Sequence, residues 1–151
     1  MNFDVLEKFN VEIIKKENSF DKIRVESSKL CDLLHFLKNN AEFDFNRLNT
    51  IIAVDLGDDF ELIYDLHAVN IAEHVRISVI VDRNSPKAPS VTDIFKSAYF
   101  DECEIFDLFG IEFTNNPNLK RLFMPKGWVG YPLRKDYKQI DERLAWNKVN
   151  R

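Results

Sequence analysis

Four carboxylates stand close together in the stretch SAYFDECEIFDLFG: Asp101, Glu102, Glu104 and Asp107. Acids at that density can share a proton in hydrolysis, hold a divalent cation, or meet cations in ion pairs. Hydrolysis needs two carboxyl groups aimed at one point, and Glu102 and Glu104, two apart in a helical stretch, face apart. A hard cation needs several oxygens around one centre, and no DxD grouping or His–acid pair completes a shell. Ion pairing is the chemistry this spacing favours.

The other residues of catalytic type are scattered. His35, His67 and His74 form neither HxH nor HExxH. Cys31 and Cys103 each lack a CxxC partner, which points to a reduced compartment and against a zinc site or a disulfide framework. Cys103, among apolar and acidic residues, reads as core rather than nucleophile. The glycines form no phosphate-binding loop. Trp128, Tyr131, Tyr137 and Trp146 in a basic tail are types that stack on single-stranded nucleic acid. The net charge of −4, and Asp136, Asp141 and Glu142 within that tail, argue against it. No catalytic, metal-binding or cofactor-binding residue is expected in this chain.

Charge is divided along the sequence. Residues 1–116 carry 12 Lys and Arg against 22 Asp and Glu, whereas residues 117–151 carry nine against three. At about 100° per residue, the segment 98–109 has apolar side chains all round, with Phe106 opposite Leu108 and Phe100 opposite Phe109. Such a helix is buried on more than one face, and its acids then need partners. The donors at hand are Lys120 and Arg121 in NPNLKRLF and Arg134 and Lys135 in PLRKD. The basic end is therefore expected to run back past the acidic helix, its aromatics clamped in grooves.

The elements that must position these groups follow from periodicity. At 151 residues, 45% apolar, the chain is one domain's worth. No run approaches the roughly 18 apolar residues of a spanning helix, and the N-terminus has no apolar signal core, so a cytosolic chain is expected. A short helix is predicted near 2–9, with strands at 11–16 and 20–26. KLCDLLHFLKNN follows, with Leu30, Leu33, Leu34 and Leu37 at helical spacing. Strands at 50–56, 60–69 and 74–82 read as an antiparallel meander, the first two joined at Gly57 and Asp58. Ser90 with Asp93 resembles a capping box, so a helix is predicted from about 91 to Phe109, with Gly110 as its C-terminal cap. Beyond Gly110 the prolines and glycines exclude long elements until about 140–149, where a helix is expected. The expected fold is α+β, an antiparallel or mixed sheet with helices packed on one face. Residues 1–112 form the compact part, and 113–151 an extended, irregular, basic docking segment.

The run EIFDLFGIEFTNNPNLKRLFMPKGWVGYPLRKDY resembles the defining region of the C-subunit family of respiratory complex I (the NADH-quinone oxidoreductase), whose relatives include a subunit of membrane-bound, energy-converting nickel-iron hydrogenases. In that family a helix of the form ERExxDxxGI precedes an HPxLRR element and a closing GHPLRKD. Glu102, Glu104, Asp107, Gly110 and Ile111 match the helix; Pro117, Leu119 and Arg121 match the middle element; Gly130, Pro132, Leu133, Arg134, Lys135 and Asp136 match the closing one. Cys103 stands where the family has Arg, and Asn116 and Tyr131 where it has His, which removes one internal charge pair and two titratable groups. These variants fit the hydrogenase-type branch at least as well as complex I.

The resemblance implies a non-catalytic peripheral subunit on the cytoplasmic side of the cell membrane. It would dock on the large catalytic subunit of a quinone reductase or nickel-iron hydrogenase, beside an iron-sulfur subunit. The iron-sulfur clusters, and the flavin or nickel-iron centre, would belong to those partners. Docking or structural ion pairing would rest on Glu102, Glu104, Asp107, Arg121, Tyr131, Pro132, Leu133, Arg134, Lys135 and Asp136. The alternative is a free-standing soluble domain or small enzyme built on the acidic helix.

Overall fold

A computed structural model describes residues 4–14 and 22–138. Two strands of three residues, β1 (Glu12–Ile14) and β2 (Lys22–Arg24), lead to helix α1 (Leu30–Asn39). Three long strands follow: β3 (Arg47–Asp55), β4 (Asp59–Ala68) and β5 (Glu73–Asp82). The chain then forms β6 (Lys87–Pro89), helix α2 (Ala98–Phe109) and β7 (Glu112–Thr114). Short 3₁₀ helices occupy Asp4–Phe9 and Ser27–Lys29.

The meander forms because every second residue is apolar from Phe60 to Ala68 in β4 and from Val75 to Val81 in β5, and one sheet face can then be buried whole. Phe60, Leu62, Tyr64 and Leu66 of β4 and Val75, Ile77, Val79 and Val81 of β5 point into the core. Leu30, Leu33, Leu34 and Leu37 of α1 are fully buried in the same cluster. Burying four leucines contributes on the order of 6–12 kcal/mol before chain entropy is charged against it. The opposite sheet face carries ion pairs: Lys22 with Glu61, Arg24 with Glu12 at 3.1 Å, and Arg76 with Asp65 at 3.4 Å.

The sheet order is β1-β2-β5-β4-β3, antiparallel except for the parallel β2–β5 pair, so the fold is α+β with a mixed sheet. At Gly57 (φ 100°) the β3–β4 hairpin turns. The region before α2 departs from expectation. Residues 92–97 form tight turns rather than helix, with the Ile94 and Phe95 N–H groups both donating to Val91 O. Ser90 is not a helix cap, because its hydroxyl is drawn to Glu102, 2.8 Å away, and α2 starts after Ser97. The parallel pair β6–β7 has no counterpart in the sequence reading, since three-residue strands carry no readable period. The predicted ends of the first two strands at 15–16 and 20–21, and the helix at 140–149, lie outside the described residues.

Candidate docking site

The four acids of α2 are satisfied in four different ways. Asp101 accepts the Ile51 N–H at 2.7 Å, tying α2 to the outer edge of β3. Glu102 is fully buried and accepts the Val91 N–H, the Ser90 hydroxyl and the Asn116 amide, each at 2.8 Å. Burial pushes its pKa up against the pull of those hydrogen bonds. Glu104 is exposed, with no partner among the described residues. Asp107, fully buried, accepts three successive backbone N–H groups on Oδ2: Leu122 at 2.9 Å, Phe123 at 2.6 Å and Met124 at 3.0 Å. Its Oδ1 lies 3.4 Å from Arg121.

Among the described residues a cation meets the acidic helix at Asp107, whereas Glu102 is held by neutral donors and Glu104 faces solvent. A backbone N–H is as good a donor to a buried carboxylate and brings no charge that must itself be desolvated. Lys120, also expected to pair, is exposed without an acidic partner among the described residues. Cys103 is fully buried, with Sγ 3.8 Å from the Asn118 carbonyl, as core packing requires.

The C-terminal end of α2 fixes the chain that returns to it. A helix leaves its last carbonyls unpaired and partly negative. Gly110 caps α2 in the left-handed conformation (φ 73°), its N–H donating to Phe106 O at 3.0 Å. The Leu133 N–H then takes the Leu108 carbonyl at 3.1 Å, and Arg134 Nε takes that of Phe109. Tyr131 lies against Gly110 so closely that a Cβ there would stand 2.5 Å from its ring. The Arg121 and Arg134 guanidiniums stack on that ring, 5.0 and 4.7 Å from its centroid, and Arg134 also lies 5.1 Å from the Phe60 ring. Arg121 further donates to the Gly130 carbonyl at 3.2 Å.

A second buried acid holds the next residues. Asp55, at the end of β3, accepts the Lys135 N–H at 2.8 Å and both amino groups of Arg83 at 2.8 and 3.2 Å. Arg83 holds the Asp55 carboxyl well below the usual carboxylate range; burial opposes this, and the Lys135 and Gly57 N–H groups support it. Arg83 also pairs with Asp136 at 2.9 Å. The Lys135 side chain is exposed, so its backbone rather than its ammonium makes the contact. Pro132 is half-buried and Leu133 exposed. Sequence reasoning missed Asp55 and Arg83; Asp55 in VDLGDD carries only the signal of a turn residue, and it does accept the Gly57 N–H at 2.8 Å.

Among the described residues no three His, Cys, Asp or Glu side chains gather as a metal site, and no helix is long and apolar enough to cross a membrane.

Fold and site together define an α+β body across whose helix end a C-terminal segment is fastened by two buried acids. Residues 23–143 match the profile of the respiratory-chain NADH dehydrogenase 30 kDa subunit, and the chain belongs to that family, whose members are subunits of multisubunit respiratory or related membrane-bound complexes. It is 37% identical over 127 residues to the C-subunit of NADH-quinone oxidoreductase from Roseiflexus sp. (strain RS-1), covering 82% of this chain and 73% of that one. A trypsin-resistant fragment of Nqo5 superposes with a TM-score of 0.67 at 25% identity, covering 76% of this chain and 96% of the fragment. A chain of a membrane-bound sulfane sulfur reductase, an archaeal respiratory membrane complex, superposes with a TM-score of 0.72 at 27% identity, covering 95% of this chain and 85% of that chain.

Proposed function

We propose that this chain is a non-catalytic peripheral subunit of a membrane-associated oxidoreductase of the quinone-reductase or energy-converting hydrogenase type. It docks on and stabilises the large catalytic subunit, on the cytoplasmic side. Electron carriers and the reacting centre, iron-sulfur clusters with flavin or nickel-iron, belong to the large subunit and an adjacent iron-sulfur subunit. Residues 1–112 form the body and 113–151 the docking segment.

The observation that carries this reading is the two-sided segment. Its inner side is fastened to the body at Asp107, Gly110 and Asp55. Its outer side leaves Phe123, Val129 and Leu133 at 60, 63 and 52% exposure. Large apolar side chains held out on a fastened segment are suited to burial against another protein, where aromatic and aliphatic anchors contribute most of the binding. Among the described residues, Arg121, Arg134 and Asp136 of the segment are paired within the chain, which sets its register on the body.

Affinity capture of the tagged chain from solubilised membranes of its native host, with mass spectrometry of the co-purifying proteins, tests the reading. Recovery of a large subunit of quinone-reductase or nickel-iron hydrogenase type is the expected result. Recovery of the chain alone, from an extract in which other membrane complexes survive, refutes it.

A further inference from the structure

The cations of the described C-terminal segment divide by chemical type. Arg121 and Arg134 turn inward, onto Asp107, the Gly130 and Phe109 carbonyls and the Tyr131 ring. Lys120, Lys126, Lys135 and Lys138 all lie exposed, and none has an acidic partner among the described residues. Physical chemistry favours this split: the planar, weakly hydrated guanidinium tolerates desolvation and stacking, while the ammonium keeps its hydration on a mobile stem. The only acid between 117 and 138, Asp136, is held by Arg83. The four lysines are interspersed along the sequence with Phe123, Val129 and Leu133, so the exposed side of the segment carries, beside large apolar groups, positive charge that no acid among the described residues neutralises.

We infer that the outer lysine face of residues 120–138 binds an acidic protein surface with apolar sockets, carried by the subunit on which the segment docks. This rests on the docking reading above and adds the partner's chemistry. The lysines steer the encounter and set the register on the partner, and Phe123, Val129 and Leu133 fill the sockets. The arginines take no part in the contact, being spent on the chain's own body.

The test replaces Lys120, Lys126, Lys135 and Lys138 together by Glu in the tagged chain, expressed in its native host and captured at increasing salt. The variant should keep the wild-type unfolding midpoint when purified alone, yet recover at least about tenfold less large subunit. A quadruple Gln variant should fall between, and wild-type recovery should decline with salt. Undiminished recovery by the Glu variant, with the wild type also recovering the large subunit, overturns the acidic-surface inference and leaves the docking reading standing. A wild type that recovers no large subunit overturns both. Co-sedimentation of the isolated wild-type chain with phosphatidylcholine–phosphatidylglycerol vesicles, lost in the Glu variant, overturns the inference by assigning the lysines to an anionic membrane surface. Self-association of the wild type, lost in the Glu variant, overturns it in favour of a second copy's acidic body.

Discussion

Gly110→Ala should loosen the returning segment without touching the core of the sheet. Gly110 has φ 73°, and an alanine held in the left-handed region costs about 1 kcal/mol. The new methyl would stand 2.5 Å from the Tyr131 ring, where ordinary carbon contacts lie near 3.5–4.0 Å. The ring must therefore retreat by roughly 1 Å or more. That retreat disturbs its stacking with Arg121 and Arg134, now 5.0 and 4.7 Å from the centroid, each contact contributing about 0.5–1 kcal/mol. The total loss is about 2–3 kcal/mol. In a Tyr131→Ala background the clash with the ring is gone, and the conformational cost of about 1 kcal/mol remains. Urea denaturation of the wild type, both single variants and the double variant, followed by tryptophan fluorescence, completes the cycle. A coupling of about 1–2 kcal/mol is the expected result. Equal costs of Gly110→Ala in the two backgrounds would refute the Tyr131–Gly110 contact as the lock on the segment.

Three further outcomes are expected. Asp107→Ala removes the acceptor of three backbone N–H groups and the partner of Arg121; it should cost about 2–4 kcal/mol in urea denaturation, and trypsin should cut at Lys120 and Arg121 before the body unfolds. Asp55 has a depressed folded pKa, so its ionised form contributes stability above the unfolded value near 3.9, and that contribution is lost as pH falls toward the folded value. The gap in unfolding midpoint between wild type and Asp55→Asn should accordingly narrow as pH is lowered from about 5 to about 2, and a constant gap would count against the Asp55–Arg83 clamp. Glu102 is raised by burial, so its linked contribution is present below the unfolded value near 4.3 and is lost as pH rises through the folded one. Glu102→Gln should cost about 1–2 kcal/mol at low pH through one mismatched hydrogen bond, and this deficit should shrink as pH rises above the unfolded value. A deficit that grows with pH would show that the carboxylate form is the one the site prefers.

Much of the architecture is written in local pattern. Apolar residues at every second position in β4 and β5, leucines at helical spacing in α1, and a glycine where α2 must stop are properties a chain displays before it folds. Segments of three residues display no such period, which is why β6 and β7 and their parallel pairing are not legible, and why residues 92–97 read as helix instead of turns. The Ser90–Asp93 spacing misleads because a serine can cap a helix or serve a distant carboxylate, and Glu102 claims it.

That the acids of α2 would need donors, and that the basic end was rich in them, follows from residue types and spacing. Tertiary structure decided which donors they received. Glu102 drew neutral groups and Asp107 mostly backbone N–H, because every residue but proline carries that donor and its availability depends on where the chain passes. Asp55 and Lys135, 80 residues apart, meet only because a hairpin end and a helix end come side by side in three dimensions. The same folding turned Arg121 and Arg134 inward and left Lys120, Lys126, Lys135 and Lys138 in water, a division set by which charge tolerates desolvation and where in space the carboxylates and open carbonyls lie.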